Sequence, residues 1–434
     1  MKLSYSEAIA ILAEKKGAGI VYSLERMEEL MGYLNHPEKD VRFLHVAGTN
    51  GKGSVCAFLS SILNEAGFTV GAFNTPVFGE EKDQLTVNRE PISKEDFAGA
   101  FSEILPSVKK VERDRHEVVS EFECITALAF YYFARLKPMD IVLIEAGMGG
   151  RLDATNVLSS PIATVITNVG YDHQAFLGDT IEKIAMEKAG IIKSSSPHFT
   201  AAEGSALQIM RKIAKDKKTT MYSLQSNTQI KQLNSHTFEF KMESVSSPKP
   251  YTLTLKGQHQ IMNAALALLT ITVLADQLQW KVAERDLRIG LLQAGLEGRW
   301  ETISEEPEII IDTAHNDEAM ATVCHNIMDL PHNKQVTVLF AAMKDKAVGN
   351  MLKRLHDLNI KVYVTEFSDP RCMTKKDYLH VTDVAEEDII SDWKKWVNDW
   401  FNKKEQNHML LVTGSHYFAG ICRSYVIDQT LNSN

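Results

Sequence analysis

His45-Val-Ala-Gly-Thr-Asn-Gly-Lys-Gly-Ser-Val-Cys56 joins two segments of different periodicity. Before it, Val41–Val46 is a short apolar run of strand length. After it, Val55, Phe58, Leu59, Ile62 and Leu63 recur at helical spacing up to Gly67. A strand, a glycine-rich turn carrying a lysine, and a helix make the layout of a phosphate cradle. Free N–H groups at the helix start point at the anion, and the helix dipole favours negative charge there. Lys52 can reach terminal phosphates and the Ser54 hydroxyl can ligate a divalent cation. The spacing departs from the common G-x-x-x-x-G-K-[ST] loop, because Val46 stands at the first glycine and Gly53 separates Lys52 from Ser54. The competing reading is a tight glycine turn with a solvated lysine.

The chain has 434 residues, beyond the size at which a single core usually splits, so two domains are expected. A hydrophobic content of 44% with 24% charged residues is that of a globular protein. The net charge of −9 argues against general nucleic-acid binding. The five cysteines are scattered without zinc-site spacing, which fits a reducing compartment. The N-terminus lacks an apolar signal core, and no stretch reaches ~18 uninterrupted apolar residues. A cytoplasmic protein without a membrane or nucleic-acid partner is expected.

Along the chain, residues 4–34 read as helices. A strand is expected at Thr69–Phe73, and the polar stretch 74–93 reads as a long excursion beside the cradle. Helices are expected at 94–109 and 122–136. Asp140–Ala146 and Ile162–Asn168 are apolar strand runs, and 180–193 reads as a helix. Strands rich in Val and Ile alternating with helices imply a parallel sheet covered on both faces. Ligands of such sheets collect at the strand C-terminal ends, where the cradle, Glu145 and Asp172-His173 all fall. Residues 227–255 alternate as short antiparallel strands do. Helices follow at Gln258–Leu278 and Ala283–Leu292. A second strand and helix series begins near Gly298, with strands expected at Arg299–Ile303, Glu308–Asp312, Val336–Ala341, Lys361–Phe367 and Met409–Thr413. The domains are therefore placed at 1–296 and 297–434.

Glu145 closes an apolar strand and precedes a glycine-rich turn, a place from which a carboxylate can hold magnesium together with Ser54 and phosphate oxygens. The alternative is a strand-end glutamate paired with a basic side chain. His173 follows the next strand end. Lys183, Lys188 and Lys193 share one segment and read as solvated lysines unless a partner is found. Asp312-Thr-Ala-His-Asn316 can act on a ligand or cap the following helix through Asn316. Trp300, Trp393, Trp396 and Trp400 read as packing residues.

In order, the chain carries His45-Val-Ala-Gly-Thr-Asn-Gly-Lys-Gly-Ser54, Glu145-Ala-Gly-Met-Gly-Gly-Arg-Leu-Asp-Ala-Thr-Asn156 and Thr167-Asn-Val-Gly-Tyr-Asp-His173. Leu177–Lys193, Gly257–Ala265, Gly298-Arg-Trp-Glu301, Asp312–Asn316 and Thr413–Phe418 follow. Together these segments resemble the folylpolyglutamate synthase/dihydrofolate synthase family of Mur-type ATP-dependent amide ligases. The resemblance implies an α/β fold: a P-loop-type, mostly parallel-sheet ATP-binding domain with a small antiparallel β element, and a smaller C-terminal α/β domain. By matching position, Asn50, Gly51, Lys52, Gly53 and Ser54 would hold ATP phosphates, and Ser54, Glu145 and His173 would surround magnesium. Asn263, Arg299 and Asp312 would reach ATP. Lys188 matches a lysine that the family carbamylates. His315 and Ser415 match positions near the incoming glutamate or the nucleotide. Thr75, Ser120, Leu152, Asp153 and Ala154 match pterin-side positions. Lys52, Lys188, Asp312 and His315 are the candidate catalytic residues.

The implied reaction is ATP- and magnesium-dependent addition of L-glutamate to tetrahydrofolate through an acyl phosphate, by a monomer. Addition to dihydropteroate, alone or as a second activity, is the runner-up. Two further alternatives are a Mur-like ligase of a non-folate acid and a P-loop ATPase without ligation. The departures from the family pattern gather at the substrate end. Gln84 stands where an arginine is usual, after the charged residues Glu80, Glu81 and Lys82. Ser23 replaces a glycine, Thr313 another, and His416 a leucine.

Overall fold

Phe43–Ala47 forms β1, a strand buried at every position, and it lies near the middle of an eight-stranded sheet. In the computed structural model, residues 2–19, 23–76, 78–194, 196–243, 247–402 and 407–432 are described. The remaining strands of this sheet are β2 (Val70–Phe73), β3 (Leu85–Val87), β4 (Glu90–Pro91), β5 (Ile141–Glu145), β6 (Ala163–Ile166), β7 (His198–Thr200) and β8 (Met221–Ser223). Their order is β4-β3-β2-β5-β1-β6-β7-β8. All pairings from β2 to β8 are parallel, whereas β2–β3 and β3–β4 are antiparallel. A run of apolar β-branched strands buried on both faces is what a parallel sheet requires. One face packs against helices through Phe43, Phe73, Phe97, Phe101 and Phe130. The other packs through Ala47, Ile166, Ala185, Ile191 and Met210.

The polar stretch 74–93, expected as an irregular excursion, is ordered. Glu81–Gln84 makes a 3-10 turn, β3 and β4 extend the sheet edge, and Gln84 is buried. Short antiparallel edge strands carry too few residues for an alternation to be read. The helix expected at 94–109 runs from Lys94 to Arg115 with Pro106 inside it. The expected helices of 4–34 are Tyr5–Lys15 and Glu25–Tyr33, and residues 20–22 of that stretch lie outside the described residues. The alternating region holds β9 (Thr228–Gln232), β10 (Thr237–Met242) and β11 (Lys249–Thr252), an antiparallel three-stranded sheet. Helix Gln258–Leu278 is long and apolar enough to cross a membrane, but it is mostly buried in the protein and packs on the helix Lys52–Glu65. All five cysteines are buried and free.

The chain divides into two compact units. The first is Met1–Gly170, Gln174–Thr254 and Gln258–Gly295; the second is Tyr171–His173, Leu255–Gly257 and Leu296–Asn434. The second unit holds β12 (Glu301–Glu305), β13 (Glu308–Ile311), β14 (Gln335–Phe340), β15 (Lys361–Thr365), β16 (Ile389–Ile390) and β17 (His408–Thr413). Their order is β12-β13-β17-β14-β15-β16, parallel except for β12–β13. Its core includes Ile310, Val338, Phe340, Leu355, Tyr378 and Leu411. Trp300, Trp393 and Trp400 are buried, as packing residues are.

Candidate active site

In the first unit the turn after β1 is stitched to the end of β6. Thr49 N–H donates to the Asn168 carbonyl (3.0 Å), and Asn50 N–H donates to Asn168 Oδ1 (2.8 Å). Thr167 Oγ1 donates to the Asn50 carbonyl (2.5 Å). Two glycines make this fit. Gly48 lies so close to Thr167 that a Cβ would sit 1.8 Å from its Oγ1. Gly51 has φ of +82°, and a Cβ there would sit 2.4 Å from Asn263 Oδ1. Gly51 is also the N-cap of the helix Lys52–Glu65 and makes no side-chain capping bond. The first N–H groups of that helix, those of Lys52, Gly53 and Ser54, therefore suit an external acceptor. Asn263, placed against the turn, donates through Nδ2 to Gln260 (3.1 Å).

The Lys52 ammonium bends back over the turn, donating to the carbonyls of Gly48 (3.2 Å) and Thr49 (3.3 Å), and lies 3.9 Å from Glu145. Glu145 ends β5 directly beside β1, in register with Val46, and is buried. Thr75 N–H donates to its carboxylate (3.3 Å). Ser54 is buried as well. Lys52, Ser54 and Glu145 thus come from the ends of neighbouring strands, and the lysine is not a solvated surface charge.

Beyond Glu145, Asp153 is buried and accepts from Met148 N–H (2.8 Å), Thr155 N–H (3.0 Å) and Thr155 Oγ1 (2.6 Å). Burial pushes this carboxyl up from its ordinary range, and those donors oppose the push. Leu152 precedes it and Ala154 opens a 3-10 turn. Ser120 caps the helix Glu121–Tyr131 in a reciprocal pair with Glu123, so its hydroxyl is committed to that helix. Lys188 is buried near the end of the helix Ile181–Ala189. That helix is tied to the glycine-rich turn by the bond from Arg151 N–H to the Glu187 carbonyl (2.7 Å) and by the Arg151–Glu187 ion pair. Of the three lysines in the segment, only Lys183 is a well-exposed one, paired with Asp179.

The second unit gathers its own polar cluster. Asp312, just past β13, is buried and accepts from the N–H groups of Trp300 and Ala314, each at 2.9 Å. Burial pushes its carboxyl up, and the Arg299 charge opposes this. Arg299 donates to Thr313 Oγ1 (2.5 Å). His315 Nδ1 donates to the Thr313 carbonyl (2.9 Å), and its Nε2 lies 3.6 Å from Asp172. Asn316, rather than Asp312, caps the helix Asp317–Met328, and its Nδ2 donates to Asp172 (3.2 Å). Gly414 N–H donates to the Ala314 carbonyl (3.0 Å), which sets the buried Ser415 beside this loop. His173 has φ of +50° and lies 3.9 Å from Asp172.

Two residues of this cluster carry no assignment from the sequence. Asp172 receives Lys346 Nζ at 2.6 Å besides His315 and Asn316. Burial would raise its pKa, yet the neighbouring His315 and the Lys346 charge hold it well below the usual carboxylate range. Lys346 follows the end of β14 in Met343-Lys-Asp-Lys346, and a charged run at a strand C-terminal end is the signal that could have found it.

Residues 108–271 match the Mur ligase middle domain, and residues 298–416 match the Mur ligase glutamate ligase domain. The dihydrofolate synthase/folylpolyglutamate synthase of Bacillus subtilis (strain 168) is 37% identical over 98% of this chain and 99% of its own length. The chain belongs to the folylpolyglutamate synthase/dihydrofolate synthase family. The folylpolyglutamate synthase of Lacticaseibacillus casei is 29% identical over 98% of this chain and 99% of its own. Among solved structures, E. coli FolC in complex with DHPP and ADP matches with a TM-score of 0.87 at 26% identity, covering 99% of both chains. A folylpolyglutamate synthase complex with AMPPCP matches with a TM-score of 0.84 at 28% identity, over 99% of this chain and 100% of that one. The family fold, a large mostly parallel sheet followed by a separate α/β unit, is the one found here.

Proposed function

We propose that the protein is an ATP-dependent ligase that adds L-glutamate to a folate, a folylpolyglutamate synthase with dihydrofolate synthase as a second activity. The observation that carries it is the turn Gly48–Ser54, held against Asn168 and Asn263, with an uncapped helix start and a lysine beside the buried Glu145. The second activity is favoured by the 37% identical relative, whose name carries both. In the reaction the acid substrate's carboxylate oxygen attacks the γ-phosphorus of ATP, and ADP leaves. The glutamate nitrogen then attacks the acyl carbon, losing a proton, and inorganic phosphate departs. The N–H groups of residues 52–54 and the Lys52 ammonium would take up the charge on the phosphoryl oxygens.

Ser54 and Glu145 would hold magnesium in the first unit. Their fit rests on donor chemistry: a hydroxyl and one buried carboxylate, both hard oxygen donors, where magnesium needs few protein ligands beside phosphate and water. Magnesium supplies charge neutralisation at the transferring phosphoryl group. Lys188, buried below the glycine-rich turn, is assigned as the carbamylated lysine. Leu152–Ala154 and Thr75 are assigned to the acid substrate. Arg299, Asp312, His315 and Ser415 are the second unit's candidates for nucleotide and glutamate. The protein is assigned as a cytoplasmic monomer.

Phosphate release with ATP, glutamate and magnesium, compared among dihydropteroate, tetrahydrofolate and its diglutamate, tests the reading. Turnover should require both acid and glutamate, and Lys52→Ala should lower kcat by about a thousandfold or more. Lys188→Ala should also lose turnover, with partial recovery in short carboxylic acids. Hydrolysis of ATP independent of folate and glutamate would instead mark a simple ATPase.

A further inference from the structure

His45 sits in β1, three residues before the phosphate turn, and is fully buried. Its Nε2 lies 2.8 Å from Thr155 Oγ1, and that oxygen lies 2.6 Å from Asp153 Oδ1. The other Asp153 oxygen accepts from Met148 N–H at 2.8 Å. His45, Thr155 and Asp153 are all buried, so the bonds in this chain are not exchanged with solvent.

The direction of the bonds follows from the donor inventory. An ionised Asp153 carboxylate has no hydrogen to give, so its Oδ1 accepts from both the Thr155 N–H and the Thr155 hydroxyl. Having given its hydrogen to Asp153, that hydroxyl must accept from the ring. The ring therefore carries its hydrogen on Nε2. The opposite tautomer would bury an Nδ1–H that has no partner among the described residues and would turn the Thr155 hydroxyl away from Asp153.

We propose that His45 is a positioning residue for the acid substrate: its Nε2–H orients Thr155, which fixes the Asp153 carboxylate and the turn Gly147–Asp153 that follows Glu145. The inference rests on the assignment of Leu152–Ala154 to the acid substrate. It gives β1 two duties, since the same strand carries the phosphate turn at its C-terminal end. A carboxylate set by two bonds through buried side chains tolerates little displacement, and loss of such outer support commonly costs about tenfold or more.

Thr155→Val keeps the shape and deletes the hydroxyl, whereas Thr155→Ser keeps it. Steady-state kinetics should show KM for the acid raised about tenfold in Thr155→Val, with KM for ATP unchanged and Thr155→Ser restoring the wild-type value. His45→Leu should resemble Thr155→Val, and the double variant should be no worse than either, because both cut one chain. Equal rises in both KM values, or failure of the serine to rescue, would reduce the chain to a structural role. Nitrogen NMR of histidine-labelled protein reads the same proposal without turnover. His45 should be the Nε2–H tautomer, and the Met148 amide should shift in Thr155→Val but not in Thr155→Ser. An Nδ1–H ring would overturn the proposal. If the wild type turned over no folate while the NMR result held, the proposed substrate would be at fault rather than the hydrogen-bond chain.

Discussion

A carboxylate as little exposed as that of Asp172, 7% by side chain, keeps its charge only if its partners make up for lost water. Here they are Lys346 on one oxygen, with Asn316 and His315 on the other. Removing one member of a buried pair costs more than the pair contributes, because the other is left charged and unsolvated. Lys346→Met should therefore cost about 3 kcal/mol, the low end for such a cut, since Asn316 and His315 still face the carboxylate. Urea unfolding measures it, and a cost below about 1 kcal/mol would show that Lys346 is not the principal partner. Glu145 stands out in the sequence because it closes an apolar run, and Lys52 because it follows a glycine-rich turn at the start of a helix. Asp172 was in view beside His173, but its meaning depends on a lysine 174 positions away, and no local pattern connects them. Ser120 shows the converse: a position matched to the pterin side whose hydroxyl is taken up by a helix cap.

Within the large sheet, register sets His45 of β1 opposite Thr164 of β6, and Thr164 opposite His198 of β7. Both rings are fully buried, and burial pulls each down from 6.5 to about 3, with the Lys193 charge adding to it at His45. The folded protein thus keeps both rings neutral while the unfolded chain takes up protons below about 6.5, so stability falls as pH falls through that value towards 3. Each ring contributes up to about 1.4 kcal/mol of loss per pH unit in that window. His198→Leu should remove one share. Between about pH 6.5 and 5 the stability of the wild type should fall more steeply than that of the variant, as urea midpoints measured across that range would show. Parallel curves would place the acid sensitivity elsewhere. The long elements were legible because periodicity accumulates over many residues, as in Gln258–Leu278, whose bounds match the expectation. β7 and β8, three residues each, escape periodicity altogether, and the β3–β4 edge was hidden in a polar stretch.

The molecule has two units with separate sheets and cores, yet the second unit is not drawn from one continuous stretch, for Tyr171–His173 belongs with it. The main stretch of the second unit begins at Leu296, where the strand and helix series restarts. The transfer of Tyr171–His173 could not be read from the sequence, because Asp172 pairs with Lys346 and Asn316 far along the chain. This arrangement gives the Lys346 substitution a dependence on chain context. In a fragment Leu296–Asn434, the six-stranded sheet and its core are kept, but Asp172 is missing. Lys346 then keeps only the exposed carboxylate of Asp345, 3.7 Å away, and replacing it by methionine removes an ammonium that burial penalises more than that pair offsets. The destabilisation of about 3 kcal/mol expected in the whole chain should vanish in the fragment or turn into a small gain. Urea unfolding of the four proteins, whole chain and fragment with lysine or methionine, forms a closed cycle that isolates this coupling. Should the fragment lose as much stability as the whole chain, Lys346 would owe its contribution to neighbours within 296–434, and Asp172 would not be the group that fixes it.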